Sequence, residues 1–282
     1  MIETEQYVYK KEVDWSLLTE GLTLPLKNQV YFGQVAGRFL SPGESKDIHL
    51  YLNGKSYPAQ IRSLKLNPKF KRTKGMMQIR YPKNGELSKA LQGMFVRSYA
   101  YLERMRALRE KDDRSILRLP EDEKEYLAIY TTEDDDSYVL EAITNSEIKS
   151  LRDIMAGSSE RVMEAEFNYD TKDNTAGLES KIQIVKIRKL NKKIGDNLKK
   201  LYSFRCQICG KMVGKRYGSH VVEAHHIDYF VKSLNNDMDN QLIVCPNHHS
   251  IIHDVDPFFD RRRLLYVYKN GLEEKLVLNE HL

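Results

Sequence analysis

Residues 202–253 read YSFRCQICG KMVGKRYGSH VVEAHHIDYF VKSLNNDMDN QLIVCPNHHS IIH, and this stretch holds all three cysteines of the 282-residue chain. Five of the eight histidines fall between positions 225 and 253. Cys206 and Cys209 are separated by two residues and followed by Gly210, a spacing that lets both thiolates face one ion while backbone amides stabilise them. Cys245 and His248 repeat that gap after an intervening 35 residues, and the two pairs together supply four ligands for one tetrahedral structural site. An odd number of cysteines confined to one segment builds no disulfide framework. A lone CxxC would leave open a pair of buried reduced thiols; two such pairs weigh against it. His249 and His253, four apart, share one face of an expected helix, so both imidazoles can meet one ion. His225 and His226 are adjacent in an apolar stretch read as extended, which points them to opposite sides. One of them can then ligate while the other stays free.

Immediately upstream, Lys181 to Arg205 carries nine Lys or Arg residues against a single acid, Asp196. Ile194, Leu198, Leu201 and Tyr202 make a helical apolar stripe within it, with lysines opposite. Residues 156–180, rich in Gly, Ser, Asn and Thr and weakly periodic, read as a linker. The expected domains are therefore 1–150, a linker and connecting helix over 151–190, and 191–282. Downstream, Arg261, Arg262 and Arg263 precede a hairpin over 264–268 with its turn at Asn270 and Gly271; these arginines read equally as phosphate contacts or as a solvated cluster.

The N-terminal region has a different texture. Between Asp47 and Glu86 there is no acid, while Lys55, Arg62, Lys65, Lys69, Lys71, Arg72, Lys74, Arg80 and Lys83 accumulate. Strands are expected over 30–35, 48–52, 76–81, 126–130 and 138–143, with Asn53 and Gly54 as a hairpin turn. A helical period runs from Glu86 to about Glu110. Residues 121–136 reverse the charge, with eight acids against Lys124. The basic tracts read either as solvated faces balanced by these acids or as phosphate contacts. Their turn-rich setting and their adjacency to the Cys/His motif favour the second.

A chain of this length can bury two cores. Its 41% hydrophobic and 30% charged residues describe an ordinary globular protein, and no apolar run approaches the ~20 residues of a membrane helix. Without an apolar leader and with few cysteines, the expected setting is a reducing cytoplasm and no membrane. A net charge of +5 weakly favours a polyanionic partner.

The segment 195–260 resembles the HNH nucleases of the ββα-metal class, in particular the cysteine-flanked group common among restriction enzymes. The family pattern is a CxxC, an E-x-H-H-I strand, a D-N loop pair and a C-P-N-x-H helix start with a further His four residues on. Here stand Cys206 and Cys209; Glu223, His225, His226 and Ile227; Asp239 and Asn240; Cys245, Pro246, Asn247, His249 and His253. One position departs: the family usually has a fourth cysteine where this chain has His248.

The resemblance implies an α+β chain, a β-rich N-terminal DNA-reading domain followed by a ββα-metal nuclease domain with structural zinc held by Cys206, Cys209, Cys245 and His248. It implies that His226 is the general base and that His225, His249 and His253 hold one catalytic divalent ion (Mg2+, Mn2+, Ni2+ or Zn2+; three imidazoles suit Mg2+ least). Asn240 would hold loop and base in register, and Glu223 would be supporting or structural. The N-terminal region is only loosely similar to the B3-like and other small-barrel DNA-reading domains, with Arg62, Lys69, Lys71, Arg72, Lys74 and Arg80 as its DNA contacts. The implied activity is restriction-type cleavage of double-stranded DNA at a short specific or modified site, leaving 5′-phosphate and 3′-hydroxyl ends. A homodimer would cut both strands. A homing or mobile-element nicking enzyme and a non-catalytic zinc-stabilised DNA-binding protein are the alternatives.

Overall fold

Asn53 and Gly54 both take positive φ, 51° and 80°, the backbone of a two-residue hairpin turn whose twist matches that of paired strands. On either side run the strands Ser45–Leu52 and Lys55–Leu64 of a computed structural model that describes residues 7–25, 28–29, 40–64, 76–110, 113, 115–132, 134–155, 190, 192–233, 235 and 237–282. The chain divides into two units, Met1–Lys149 and Ser150–Leu282. The expected strand at 30–35, the linker at 156–180, and Lys65, Lys69, Lys71, Arg72 and Lys74 lie outside the described residues.

In the first unit the elements are β1 (Tyr7–Glu12), α1 (Trp15–Thr19), β2 (Gly21–Leu24), β3 (Ser45–Leu52), β4 (Lys55–Leu64), β5 (Met76–Arg80), α2 (Glu86–Met94), α3 (Val96–Ala107), β6 (Tyr126–Thr131) and β7 (Ser137–Ile143), followed by α4 (Asn145–Met155), which runs across the boundary at Lys149. The seven strands form one sheet in the order β1-β6-β7-β3-β4-β5-β2. All pairs are antiparallel except β3 with β7, where His49 to Leu52 face Ser137 to Leu140 in parallel. Along β4 the pleat sends Tyr57, Ala59, Ile61 and Ser63 inward and leaves Ser56, Pro58 and Arg62 exposed, the period-2 pattern of a half-buried strand. The inner face packs Ile48, Leu50, Ile61 and Ile79 with Leu91 and Phe95 of the helical segment.

The helical period from Glu86 is interrupted, contrary to the single run expected. At Phe95 the backbone leaves the helix (φ −103°, ψ 48°) and the ring is fully buried, so insertion of Phe95 into the core turns α2 into α3. Helix α1 is too short to satisfy its own C-terminal carbonyls. Ser88 Oγ donates to Thr19 O at 2.7 Å, Gln92 Nε2 to Leu18 O at 2.9 Å, and the Tyr81 hydroxyl to Leu17 O. The buried Glu125 carboxylate accepts from Ser98 Oγ at 2.6 Å and from the Asn145 amide at 3.0 Å, tying α3 to the start of α4.

The second unit opens with α5 (192–201), where three residues of the expected stripe, Ile194, Leu198 and Tyr202, are buried and the fourth, Leu201, is partly so. It continues through β8 (Glu223–His226), α6 (Phe230–Ser233), β9 (Gln241–Val244), α7 (Pro246–Val255), β10 (Phe258–Asp260), β11 (Leu265–Val267) and β12 (Glu273–Lys275). β8 and β9 pair antiparallel, Glu223 with Val244 and His226 with Gln241, and α7 follows after one residue. β10, β11 and β12 form a separate three-stranded sheet. Gln207, fully buried, joins the parts: its amide donates to Ile243 O at 2.7 Å, its Oε1 accepts from Ile243 N at 2.8 Å, and its carbonyl accepts from Val277 N at 2.8 Å. The molecule is mixed α+β. Among the described residues no helix is long and apolar enough to cross a membrane.

Candidate metal centres

The loop carrying Cys206 and Cys209 is a turn closed by backbone bonds. Gly210 N donates to Cys206 O at 2.8 Å and Cys206 N to Lys211 O at 3.0 Å. Gly210 has φ 69°, a left-handed backbone that favours glycine, and a Cβ placed on it would lie 3.2 Å from Cγ1 of the exposed Val277, which would have to give slightly. Cys245 caps α7, with Pro246 opening the helix, and the first turn then brings His248 round to the same side. The ligand atoms of Cys206, Cys209, Cys245 and His248 all lie within 4.8 Å of one another. His248 Nδ1 is 3.1 Å from Cys245 Sγ and 3.5 Å from Cys206 Sγ. Burial pushes the Cys206 thiol up, partly offset by the amides of Cys209, Cys245 and Ile208. A dication among the sulfurs reverses that balance, because a coordinated thiol gives up its proton. Three thiolates and an imidazole in tetrahedral reach suit Zn2+.

Beyond His248 lies a group that sequence reading missed. His248 Nε2 sits 3.3 Å from Glu274 Oε1, and Tyr268 Oη donates to Glu274 Oε2 at 2.9 Å. The carboxylate thus takes one ring nitrogen and leaves Nδ1 facing the sulfurs, the usual way a ligating histidine is oriented. Nothing in the sequence marks Glu274, which arrives from β12, 26 positions beyond its partner.

The second cluster is His225, His249 and His253, again with ligand atoms within 4.8 Å of one another. His249 Nε2 and His253 Nε2 are 3.2 Å apart. Two nitrogens each about 2.0–2.1 Å from one tetrahedral ion would be about 3.3–3.4 Å apart, so the spacing accommodates an ion. Three mutually edge-on rings, with interplanar angles of 81° to 83°, close the pocket, and Tyr229 stacks on His253 at 5.7 Å. Glu223, two residues before His225 on β8 and hence on its face, reaches His249 Nδ1 at 2.7 Å. With Nδ1–H donating to that carboxylate, His249 Nε2 keeps its lone pair. We expect Glu223→Gln to lower divalent-ion affinity by about 10–100-fold without changing zinc content at the cysteine site, as read by calorimetric titration of Mn2+ or Ni2+. Unchanged affinity would remove Glu223 from the site.

His226 stands apart from the cluster although adjacent in sequence. It is buried, and its ring stacks on Phe230 at 5.2 Å. Asn240, fully buried, fastens the loop between β8 and β9: Nδ2 donates to Asp228 O at 2.9 Å and Asn235 O at 2.8 Å, while Oδ1 accepts from Asp228 N at 2.9 Å. Arg261 completes the knot. Its guanidinium donates to Asn240 Oδ1 at 2.8 Å, Asp239 O at 2.9 Å and Asp228 Oδ2 at 2.6 Å. Arg261 is therefore a brace for the loop, and Arg263 is forked onto Glu273, with Nη1 to Oε1 at 2.8 Å. Neither of the two sequence readings of this cluster anticipated these ties.

In the first unit, Arg62 and Arg80 share the outer face of the sheet, since Arg62 lies opposite Gln78 and Gln60 opposite Arg80. Arg62 is exposed, whereas Arg80 is half-buried and paired with Glu20 at 3.3 Å. Compared with known proteins, the chain matches no family model, no curated protein and no solved structure.

Proposed function

We propose that the chain is a metal-dependent DNA endonuclease of the ββα-metal (HNH) class, acting on double-stranded DNA in the manner of a restriction enzyme. The observation that carries this reading is the division of labour on β8: His225 joins His249 and His253 around one point, while its neighbour His226 lies on the other side of the strand. A divalent ion held by those three imidazoles would supply Lewis-acid polarisation of a non-bridging phosphate oxygen and stabilise the charge on the leaving 3′ oxygen.

The residues of the chain supply the rest. His226, as a neutral imidazole, accepts a proton from the attacking water as its oxygen bonds to phosphorus. The P–O3′ bond breaks, and the products are a 5′-phosphate and, once solvent delivers a proton, a 3′-hydroxyl. Asn240 and Arg261 keep the loop that follows His226 from shifting, which holds the base in reach of that water. Phe230, stacked on the imidazole, fixes its plane.

Cys206, Cys209, Cys245 and His248 hold the structural zinc in this reading, and a cytoplasmic setting keeps the three thiols reduced. The first unit acts as the reader in this reading, with Arg62, Lys69, Lys71, Arg72, Lys74 and Arg80 as its contacts to phosphates and base edges. Cleavage of both strands calls for two active sites, hence a homodimer on DNA. Unmodified and methylated genomic DNA, each incubated with Mg2+, Mn2+, Ni2+ or Zn2+, tests the proposal. Discrete fragments with 5′-phosphate ends are expected, and intact DNA under every condition would overturn it.

A further inference from the structure

From 197 to 222, the run that joins α5 to β8 through the cysteine turn, the chain contains no Asp or Glu and six basic residues, Lys199, Lys200, Arg205, Lys211, Lys215 and Arg216. The last two sit on a projecting loop that the cysteine site does not use. Its arms are joined where Val221 N donates to Val213 O at 3.1 Å, and its tip is a 3-10 turn over Lys215–Tyr217 between Gly214 and Gly218, both left-handed at φ 88° and 66°. At Gly214 the shape is compulsory, since a Cβ would come within 2.8 Å of Ser219 O and 2.9 Å of Val221 Cγ2. The His220 ring stacks on Phe204 at 4.4 Å, pinning the returning arm to the segment after α5. The loop is thus a built finger, and at its tip Tyr217 is 82% exposed beside the exposed cations of Lys215 and Arg216.

We propose that this finger, residues 213–221, is a DNA-contacting element that presses Lys215 and Arg216 on the phosphates and Tyr217 into the adjoining groove or sugar wall of the duplex being cut. The proposal rests on the nuclease reading and adds to it a substrate-holding surface. Three observations select nucleic acid as the occupant. The charge is of one sign without any acid within the run, which fits a polyanion. An almost fully exposed tyrosine flanked by cations offers an apolar face for sugar or base together with donors for phosphate. The returning arm also runs directly into β8: His225 is four positions beyond Val221, a reach of at most about 14 Å in extended chain, so a duplex held by the finger lies alongside the histidine cluster.

The 282-residue chain, as purified and with no added divalent ion, would be titrated onto a fluorescent mixed-sequence duplex over a range of salt concentrations. Lys215→Ala with Arg216→Ala should weaken binding at least about tenfold and flatten the dependence of log affinity on log salt by about one to two units, because fewer condensed counterions are displaced. Tyr217→Ala should weaken binding while leaving the salt slope as it is. Since these side chains are exposed, zinc content and thermal unfolding serve as controls that the fold is intact. Tyr217→Trp gives a gain-of-signal reading: its emission should change on adding duplex, over and above the change from Trp15 in the parent. Variants that bind as the parent does, with no tryptophan response, would overturn the finger while the nuclease reading stands. A parent that neither binds nor cuts any duplex would overturn the nuclease reading itself and the finger with it.

Discussion

Replacement of His226 by alanine should reduce cleavage of duplex DNA by about 10²- to 10⁴-fold, the range attributed to a positioned general base. Binding of DNA and of metal should persist. The expectation follows from where the ring sits: beside Phe230 and away from the three imidazoles of His225, His249 and His253, so its loss removes no ligand. Three measurements on the same preparation separate the outcomes, namely the single-turnover cleavage rate with saturating Mn2+, duplex affinity, and metal content. A variant that cuts at nearly the parental rate would show that another group, or the solvent, takes the proton. A variant that loses the divalent ion as well would place His226 among the ligands.

The other large effect is expected at the cysteine site. Cys206→Ser or Cys245→Ser should abolish tight zinc binding and unfold or aggregate the second unit, since the metal supplies folding free energy on the order of 10 kcal/mol in small zinc modules. That is comparable with the whole margin by which most domains are stable, about 5–15 kcal/mol. Here the core around the site is itself made of ligands and their neighbours: Cys206 and Cys245 pack with Ile208, Leu242, Val244 and Ile252. Elemental analysis and thermal unfolding of parent and variants test this. His248→Cys provides the contrast, with zinc retained because a fourth thiolate fits the same tetrahedron. A parent purified without zinc, unfolding no differently after chelation, would leave the four residues as a buried thiol cluster.

Much of the second unit could be read from the chain because its ligands come in short-range pairs. Two-residue gaps at Cys206 and at Cys245, and the four-residue step from His249 to His253, are set by local backbone geometry and carry their meaning in sequence. The contacts that complete each centre are long-range and leave no such imprint. Glu274 reaches His248 from β12, and Arg261 reaches back to Asp228 and Asn240, with residue types that occur on any charged surface.

In the first unit, Asn53 and Gly54 announce their hairpin, and the alternation of β4 announces its faces. The edge strands β1 and β2 and the parallel pairing of β3 with β7 were not anticipated: β1 meets β6 more than a hundred residues later, and no periodicity within seven residues encodes a partner at that distance. The break at Phe95 was lost for a related reason, since burial of one ring against a sheet outweighed a helical period that was continuous in sequence.

The role of Gln207 sets a schedule for biosynthesis. This side chain and its backbone clamp the cysteine turn to β9 and to Val277 and Leu278, and the buried His281 ring bridges the Tyr202 hydroxyl and the Gln241 carbonyl. At ~5–20 residues per second, the 75 positions from Cys206 to His281 take roughly 4–15 s to emerge. Until that interval has passed Cys206 and Cys209 lack the complete set of strand, helix and tail that encloses them. The clamp around the cysteine turn is therefore complete only once His281 has emerged, and an ion held by the cysteines would be fully enclosed no earlier than that.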